Sequence, residues 1–476
     1  MRAPASRAPS FWLDQVFEAE ARDAVADAPA LEGDEKADIC IVGGGYTGLW
    51  TAIRLKELEP ALEIALIEAR YCGYGASGRN AGMLLSWTAK FEKLVSIAGA
   101  QEAVRLHRAT REAIEQIIGF AASERIDCEL RRDGWIWTAT NAAQDGAWRT
   151  TVDALDRAGE HPFEVLSAKD TQARTGMAVA RGGVFDKDMA TLQPAKLVRG
   201  LRRAALARGV RIHENTPMTR LERTRPPRVR TPGGTITAKK IVLGLNAWAA
   251  ALPEFRRSVL VVASDQLITA RAPGRLRELG LDNGTGVADS RLLVYGYRTT
   301  PDGRLNFSKG GGDFVFAGRI GGKFDTHATR ADEVVGQFRR TLPALADLPI
   351  ESSWRGQVTR TKSGLPFFGV YPDCPDIVYG HGYCGNGVGP SWMGGRILAS
   401  LALERRDEWS SMPIARGMPH GRFPPEPFRY VGAYMVRGAI VRKEAAEDEG
   451  RRPRRLDAGL ARLAPSSLVP VGKHQP

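Results

Sequence analysis

The chain has 476 residues, of which 43% are hydrophobic and 25% charged, and a formal net charge of +13. Its length sets a prior of about three domain-sized units. The composition excludes general disorder, and no uninterrupted apolar run is long enough for a transmembrane helix. The five cysteines, Cys40, Cys72, Cys128, Cys374 and Cys384, form no C-x-x-C pair, which argues against a disulfide framework and against a metal site. Arginines are scattered rather than gathered in a stripe with aromatics, so no nucleic-acid partner is expected. The start, Met-Arg-Ala-Pro-Ala-Ser-Arg, develops no apolar core of a secretory leader, which makes the cytoplasm the expected location.

Residues 1–36 are Ala/Pro-rich and read as an N-terminal arm. Phe11, Trp12 and Phe17 are available to dock on the body, without a regular core role. Asp38 to Val42 is a short apolar run suited to a buried parallel strand. Gly43, Gly45 and Gly48 follow it as G-x-G-x-x-G. Gly43 permits the tight turn, Gly45 lets backbone approach a pyrophosphate, and Gly48 lets helix and strand pack closely. Tyr46 to Leu58 fits a helix whose free N–H groups, beginning at Tyr46 and Thr47, face that pyrophosphate. A second strand, Glu63 to Glu68, ends in an acid 20 residues past Gly48, placed to accept from a ribose. Ala69 and Arg70 continue this edge.

Lys90 to Glu124 has helical spacing, Trp135 to Ala139 reads as a strand, and Ala147 to Ala158 as a helix. Pro194 opens a further helix, Ala195 to Arg208, which Gly209 ends. The strands Val210–Ile212, Ile236–Thr237 and Ile241–Leu245 return to strand-helix-strand grammar. Val259 to Thr269 and Leu292 to Phe316 are strand-rich, and Ala331 to Leu342 is helical. Gly380 to Leu403 is a Gly-rich loop followed by a helix, and one more helix is expected from about Arg429 to Glu449. From Arg405 onward the chain carries 14 basic and 8 acidic residues.

The fold class expected is α/β: a discontinuous Rossmann-like, doubly wound dinucleotide-binding domain with an inserted α+β domain on an antiparallel or mixed sheet. The first domain takes residues 37–88, 185–255 and 351–404. The insert takes 89–184 and 256–350. Residues 405–476 form a basic C-terminal extension with one helix.

Four stretches together resemble the flavin-dependent amine oxidoreductases of the D-amino-acid-oxidase superfamily, which includes sarcosine, glycine and γ-glutamylputrescine oxidases. They are Gly43–Gly48 with Glu68; Gly73-Tyr-Gly-Ala-Ser-Gly-Arg-Asn-Ala-Gly82; Ile241-Val-Leu-Gly-Leu-Asn-Ala-Trp248; and Gly382-Tyr-Cys-Gly-Asn-Gly-Val-Gly389. Shorter matches at 47–50, 85–87, 303–312 and 436–440 are similar to a branch of aminophosphonate oxidoreductases.

The resemblance implies FAD along Gly75, Ala76, Ser77, Arg79, Asn80, Ala81 and Gly82, with Asn246, Trp248, Gly385, Asn386, Gly387 and Val388 at the far end. Ala81 and Gly356 fall where some relatives carry a tethering His or Cys, which implies non-covalent FAD. It further implies hydride transfer from the carbon beside an amine, giving an imine that water hydrolyses. The partners implied are a small amine, here one bearing an acidic group, and oxygen or another electron acceptor.

Tyr295, Tyr297, Arg298, Lys309 and Arg319 are candidates to meet the substrate, with Lys309 and His381 in catalytic roles. The plain alternatives are sheet packing for the tyrosines, a surface position for an arginine, and a loop histidine satisfied by backbone. Cys384 is expected to fill its loop. His107 and His213 read as partly exposed and without signal. An NAD(P)-linked dehydrogenase and a non-enzymatic flavin-containing binding protein are the rival readings.

Overall fold

The computed structural model describes residues 8–326, 328–417 and 421–465. Residues 1–7, part of the stretch read for a leader, and 466–476, the end of the C-terminal extension, lie outside the described residues.

Two eight-stranded sheets carry the chain. The first is ordered Phe367–Tyr371, Cys374–His381, Gly234–Leu243, Glu35–Val42, Ile64–Ile67, Arg211–His213, with Arg228–Thr231 pairing Gly234–Leu243 off this path and Arg220–Glu222 pairing Arg228–Thr231. Every neighbour pair in this path is parallel except the edge hairpin of the first two strands. Its strands are apolar on both faces because both faces are covered. Ile39, Ile41, Ile64, Leu66 and Val242 enter one hydrophobic cluster. The alternate residues Cys40, Val42, Ala65, Ile67 and Leu243 enter another.

The second sheet is ordered Ile350–Arg360, Leu260–Thr269, Leu305–Lys309, Tyr295–Thr299, Gly286–Asp289, Trp135–Thr138, Gly183–Asp186, Glu164–Leu166. It is antiparallel apart from the parallel pair Gly286–Asp289 and Trp135–Thr138. The strand Ile350–Arg360 pairs with Leu260–Thr269 along nearly its whole length. It therefore belongs to the second sheet, not to the segment 351–404 expected to return to the first.

Three further expectations change. The single helix expected over 90–124 is two, Phe91–Ala98 and Ala100–Ser123, broken at Gly99 where φ is +82°. The C-terminal extension carries a second helix, Arg455–Ala461, after Phe428–Asp448. The N-terminal arm enters the core through Phe11, Trp12, Leu13 and Val16. Ser10 caps the helix Phe11–Arg22 by accepting from Leu13 N, and its Oγ donates to Gly78 O at 2.6 Å. Trp12 is fully buried with Ala195, Ile268 and Trp354, and its Nε1 donates to Asn80 O at 3.0 Å.

Trp12→Ala should therefore lower unfolding free energy by about 3–5 kcal/mol, the range for emptying a buried aromatic site. Denaturant unfolding checks this, and a loss below about 1 kcal/mol would make the arm peripheral.

Candidate active site

Three backbones meet at the carboxyl ends of the parallel strands. Gly43 turns with φ of +113°, and a Cβ there would stand 2.8 Å from Gly244 O. A Cβ on Gly48 would stand 2.0 Å from Gly43 O. Glycine at both positions lets the helix Tyr46–Leu58 start directly over the strand. Gly48 thus packs the helix and does not itself border a cavity.

A cavity of about 780 Å³ opens at this junction. Gly43, Gly45, Tyr46 and Thr47 line it from the turn and helix start, and Glu68, Ala69 and Arg70 from the second strand. Gly75, Ala76, Ser77, Asn80, Asn246, Trp248, Gly385, Gly387 and Val388 complete the expected set on its walls. Glu68 is oriented by backbone: its Oε2 accepts from Gly44 N at 2.8 Å and its Oε1 from Arg70 N at 3.2 Å. Burial raises its pKa, and those two N–H groups partly offset the effect. Thr47 Oγ1 donates to Tyr383 Oη at 2.8 Å, tying the helix start to the Gly382–Gly389 loop.

A smaller cavity of about 130 Å³ shares Ala76, Asn80, Gln357, Val358, Gly385 and Val388 with the first, so the two adjoin. Ala81 and Asn386 border it. Met83, Leu85, Val262 and Val294 make it largely apolar. Its one charged lining residue among the described residues is Arg360, from the strand Ile350–Arg360. That guanidinium donates to Cys384 O, and burial lowers its pKa while leaving a cation. Sequence reasoning missed Arg360 because the run Trp354-Arg-Gly-Gln-Val-Thr-Arg360 was read only for Gly356.

Other expected site residues turn elsewhere. Arg79 is fully buried and donates to Tyr74 O, with an ion pair to Asp325; it braces its loop from inside. Gly82 carries φ of +73° and packs on Leu192 O and the Arg298 guanidinium. Arg298 is buried and donates to Ala81 O at 2.6 Å and Leu192 O at 2.7 Å, beneath Trp12. It holds the loop and does not line the cavity.

Tyr297 stacks on Phe307 and donates to Thr175 O. Tyr295 stacks on the other flank of Phe307, so its ring lies on that same core-facing side although the residue borders the small cavity. Lys309 pairs in register with Tyr295 and shares this face. Burial lowers its pKa, and Glu444 and Asp289 pull it back. Arg319 is exposed and lines neither cavity.

His381 is fully buried against Phe255, Phe367 and Tyr379. Neither ring nitrogen has a partner among the described residues, and burial pushes its pKa down to about 3. It is a neutral core residue, not a proton acceptor. Cys384 does fill its loop, donating to Gly382 O. His107 is fully buried, not partly exposed, with its pKa pushed down to about 4 by burial. His213 lies partly exposed beside Glu35.

The residues fit a flavin dinucleotide. Glu68 offers an oriented carboxylate at one end of the larger cavity. At the joint with the smaller one, the buried amide oxygens Asn386 Oδ1 and Gln357 Oε1 have no partner among the described residues. They are acceptors for a ring system carrying an N–H.

Residues 38–401 match the family model for FAD dependent oxidoreductases, DAO. The chain belongs to the DAO family of FAD-dependent oxidoreductases. It is 29% identical over 411 residues to γ-glutamylputrescine oxidoreductase of Escherichia coli (strain K12), covering 85% of this chain and 93% of that protein. To glycine oxidase of Geobacillus kaustophilus (strain HTA426) it is 25% identical over 393 residues, covering 79% and 96%. The crystal structure of glycine oxidase from Geobacillus kaustophilus superposes with a TM-score of 0.66 at 20% identity, covering 81% of this chain and 100% of that one. The protein is thus an FAD-dependent enzyme, and the rival readings as an NAD(P)-linked dehydrogenase or a non-enzymatic binder give way. Among the described residues no helix is long and apolar enough to cross a membrane, and no group of three or more His, Cys, Asp or Glu side chains is placed to hold a metal.

Glu68→Ala removes the oriented acceptor and should weaken FAD binding by about 1.5–3 kcal/mol, roughly ten- to a hundred-fold, in titrations of apoenzyme followed by flavin fluorescence. Because burial raises the Glu68 pKa, FAD affinity of the unmodified enzyme should fall as pH is lowered toward that of an ordinary carboxyl group. His381→Leu, by contrast, should leave the shape of the pH profile of kcat/KM unchanged. A lost or shifted limb would restore His381 as a proton acceptor.

Proposed function

We propose that the enzyme oxidises the C–N bond of a small amine bearing an acidic group, with FAD held non-covalently. The observation that carries this is Arg360, the one charged side chain among the described residues that lines the apolar cavity adjoining the dinucleotide cavity. A guanidinium matches a carboxylate or phosphonate in a bidentate fork, and low local dielectric strengthens that pair. When bound, FAD supplies a two-electron acceptor for the hydride on the carbon beside nitrogen.

The chain's own part is to bind, orient and exclude water. Arg360 fixes the acidic end. Met83, Leu85, Val262 and Val294 keep the reacting end dry, and the hydroxyl oxygens of Ser264 and Ser308, which donate to Lys309 O and Gly296 O, can accept from its polar atoms. The imine product needs only water to give the carbonyl compound and the released amine. The relatives, a γ-glutamylputrescine oxidoreductase and a glycine oxidase, support an amine or amino-acid substrate. The matches at 303–312 and 436–440 support an aminophosphonate as the specific candidate.

Non-covalent attachment rests on the lining. Among the described residues no cysteine or histidine borders either cavity. Gly356 and Ala81 stand on the smaller cavity's wall.

Purified enzyme should release its FAD on acid precipitation. Anaerobic mixing with a panel containing 2-aminoethylphosphonate, β-alanine, glycine, sarcosine and putrescine should bleach the flavin with the acidic members. Admitting oxygen then reads the electron acceptor. Arg360→Gln should cost acidic substrates about 2 kcal/mol, roughly thirty-fold in kcat/KM, and leave turnover of an amine without an acidic group, such as putrescine, unaffected. No bleaching by any member, or equal losses for amines with and without an acidic group, would sink the proposal.

A further inference from the structure

Exposed apolar side chains gather on the C-terminal extension. Among the described residues, five of the six most exposed large hydrophobics lie between Phe428 and Leu463. Phe428 and Leu456 are each 71% exposed and Leu463 is 64% exposed, with Val431 and Met435 close behind. Scattered singly, such residues need no explanation; gathered, they mark an interaction surface. Phe428, Val431 and Met435 recur at i, i+3 and i+7, so they share one face of the helix Phe428–Asp448. Phe316, half exposed, packs edge-on against Tyr430 of the same helix.

The helix Arg455–Ala461 folds back along this one. Asp457 pairs with Arg442, while Ala461 and Ala464 join Ile440 and Val436 in one apolar cluster. The returning chain therefore carries Leu463 toward Met435. Its inner side is Asp457, Ala461 and Ala464, and Leu456 and Leu463 stay outside.

The free charge around these side chains has one sign. Arg452, Arg454, Arg455 and Arg462 are exposed and have no ion-pair partner among the described residues. The same holds for Arg319, just past Phe316, and for Arg422, just before the long helix. The acids of the extension are engaged. Glu426 pairs with Arg429, Glu447 with Lys443, Asp448 with Arg291, Glu449 with Arg451 and Asp457 with Arg442. Glu444 turns inward and accepts from Leu293 N. What is left unpaired is cationic.

We propose that this face is a docking surface for an anionic lipid bilayer: Phe428, Val431, Met435, Leu456 and Leu463 enter the acyl boundary while the arginines meet headgroup phosphates. Apolar side chains on helices that also carry free arginines are the two signals that together hold a protein on such a surface. A bilayer accepts protruding side chains without a matching pocket, and its headgroups supply the missing negative charge. A second copy of this chain, docked through the same face, would set these arginines against their own symmetry mates.

The test is co-sedimentation of the FAD-loaded full chain with vesicles of phosphatidylcholine alone or mixed equally with phosphatidylglycerol. An unchanged flavin spectrum reports that each variant folds. Wild type should bind the anionic vesicles roughly ten-fold or more tightly than the neutral ones, and more weakly as salt is raised. Arg452→Glu, Arg454→Glu and Arg455→Glu together should weaken that binding roughly a hundred-fold. Leu456→Ser with Leu463→Ser should weaken it roughly ten-fold and keep its salt dependence. The control reverses three exposed arginines elsewhere, Arg157→Glu, Arg203→Glu and Arg228→Glu, and should lose far less. Equal affinity for both vesicles, no binding to either, an unchanged leucine variant, or an equal loss in the control would overturn the proposal. So would a dimer in analytical ultracentrifugation that Phe428→Ser with Met435→Ser disperses, if vesicles do not bind; the face would then belong to a second copy.

Discussion

The contact of Gly43, Gly48 and Gly244 is the constraint on which the rest depends. Three backbones approach where any side chain would collide: 2.0 Å to Gly43 O from a Cβ on Gly48, and 2.8 Å to Gly244 O from one on Gly43. Only this closeness lets a helix begin over the end of its own strand and leave its first residues facing a cavity. The neighbouring strand then arrives in register, Val42 opposite Leu243. Asn246 and Trp248 reach the cavity because they follow that strand, as Gly385 and Val388 do after Cys374–His381.

A second constraint is the loop Tyr74–Gly82, whose carbonyl oxygens point outward and must be paired. Distant groups satisfy them: Ser10 on Gly78 O, Trp12 on Asn80 O, Gln266 and Trp354 on Arg79 O, and Arg298 on Ala81 O. Each is buried, so each bond escapes competition from water. The N-terminal helix, the long strand Leu260–Thr269 and the strand Ile350–Arg360 are thereby stitched to one loop. Arg79 does the same from within, on Tyr74 O. The loop is rigid because the whole molecule holds its backbone.

These ties also explain what was legible in the sequence. Backbone-driven features were: the Gly43–Gly48 turn, Glu68, and the loop Gly382–Gly389, because a glycine at a fixed offset reports a local geometry. Long-range side-chain roles were not. Arg298 and Arg360 are both strand arginines in the same sheet, and nothing local separates the one that caps Ala81 O from the one that borders the smaller cavity. Period-2 spacing put Tyr295 and Tyr297 on one face, but could not say that this face also carries Phe307 and packs into the core. Trp12 was unreadable for the same reason, since its partner Trp354 lies 342 positions further along the chain.

The charge behind the cavity wall sharpens the role of Arg360. Lys309, Asp289, Arg291, Glu444 and Asp448 form one network between the second sheet and the helix Phe428–Asp448. Burial pushes Asp289 up to about 7 even beside Arg291. The same helix supports the wall directly: Glu444 accepts from Leu293 N, and Arg437 Nε donates to Gly311 O at 2.6 Å. Leu293 and Gly311 flank Val294 and Gly310 on the cavity lining. The extension that reads as a basic tail is thus a buttress, and much of its charge is paired where it stands: Arg429 with Glu426, Arg437 with Glu333, Arg442 with Asp457, Lys443 with Glu447. None of these paired groups lines the cavity, so on the proposed reading recognition of an acidic substrate falls to Arg360, the charged side chain that lines it among the described residues.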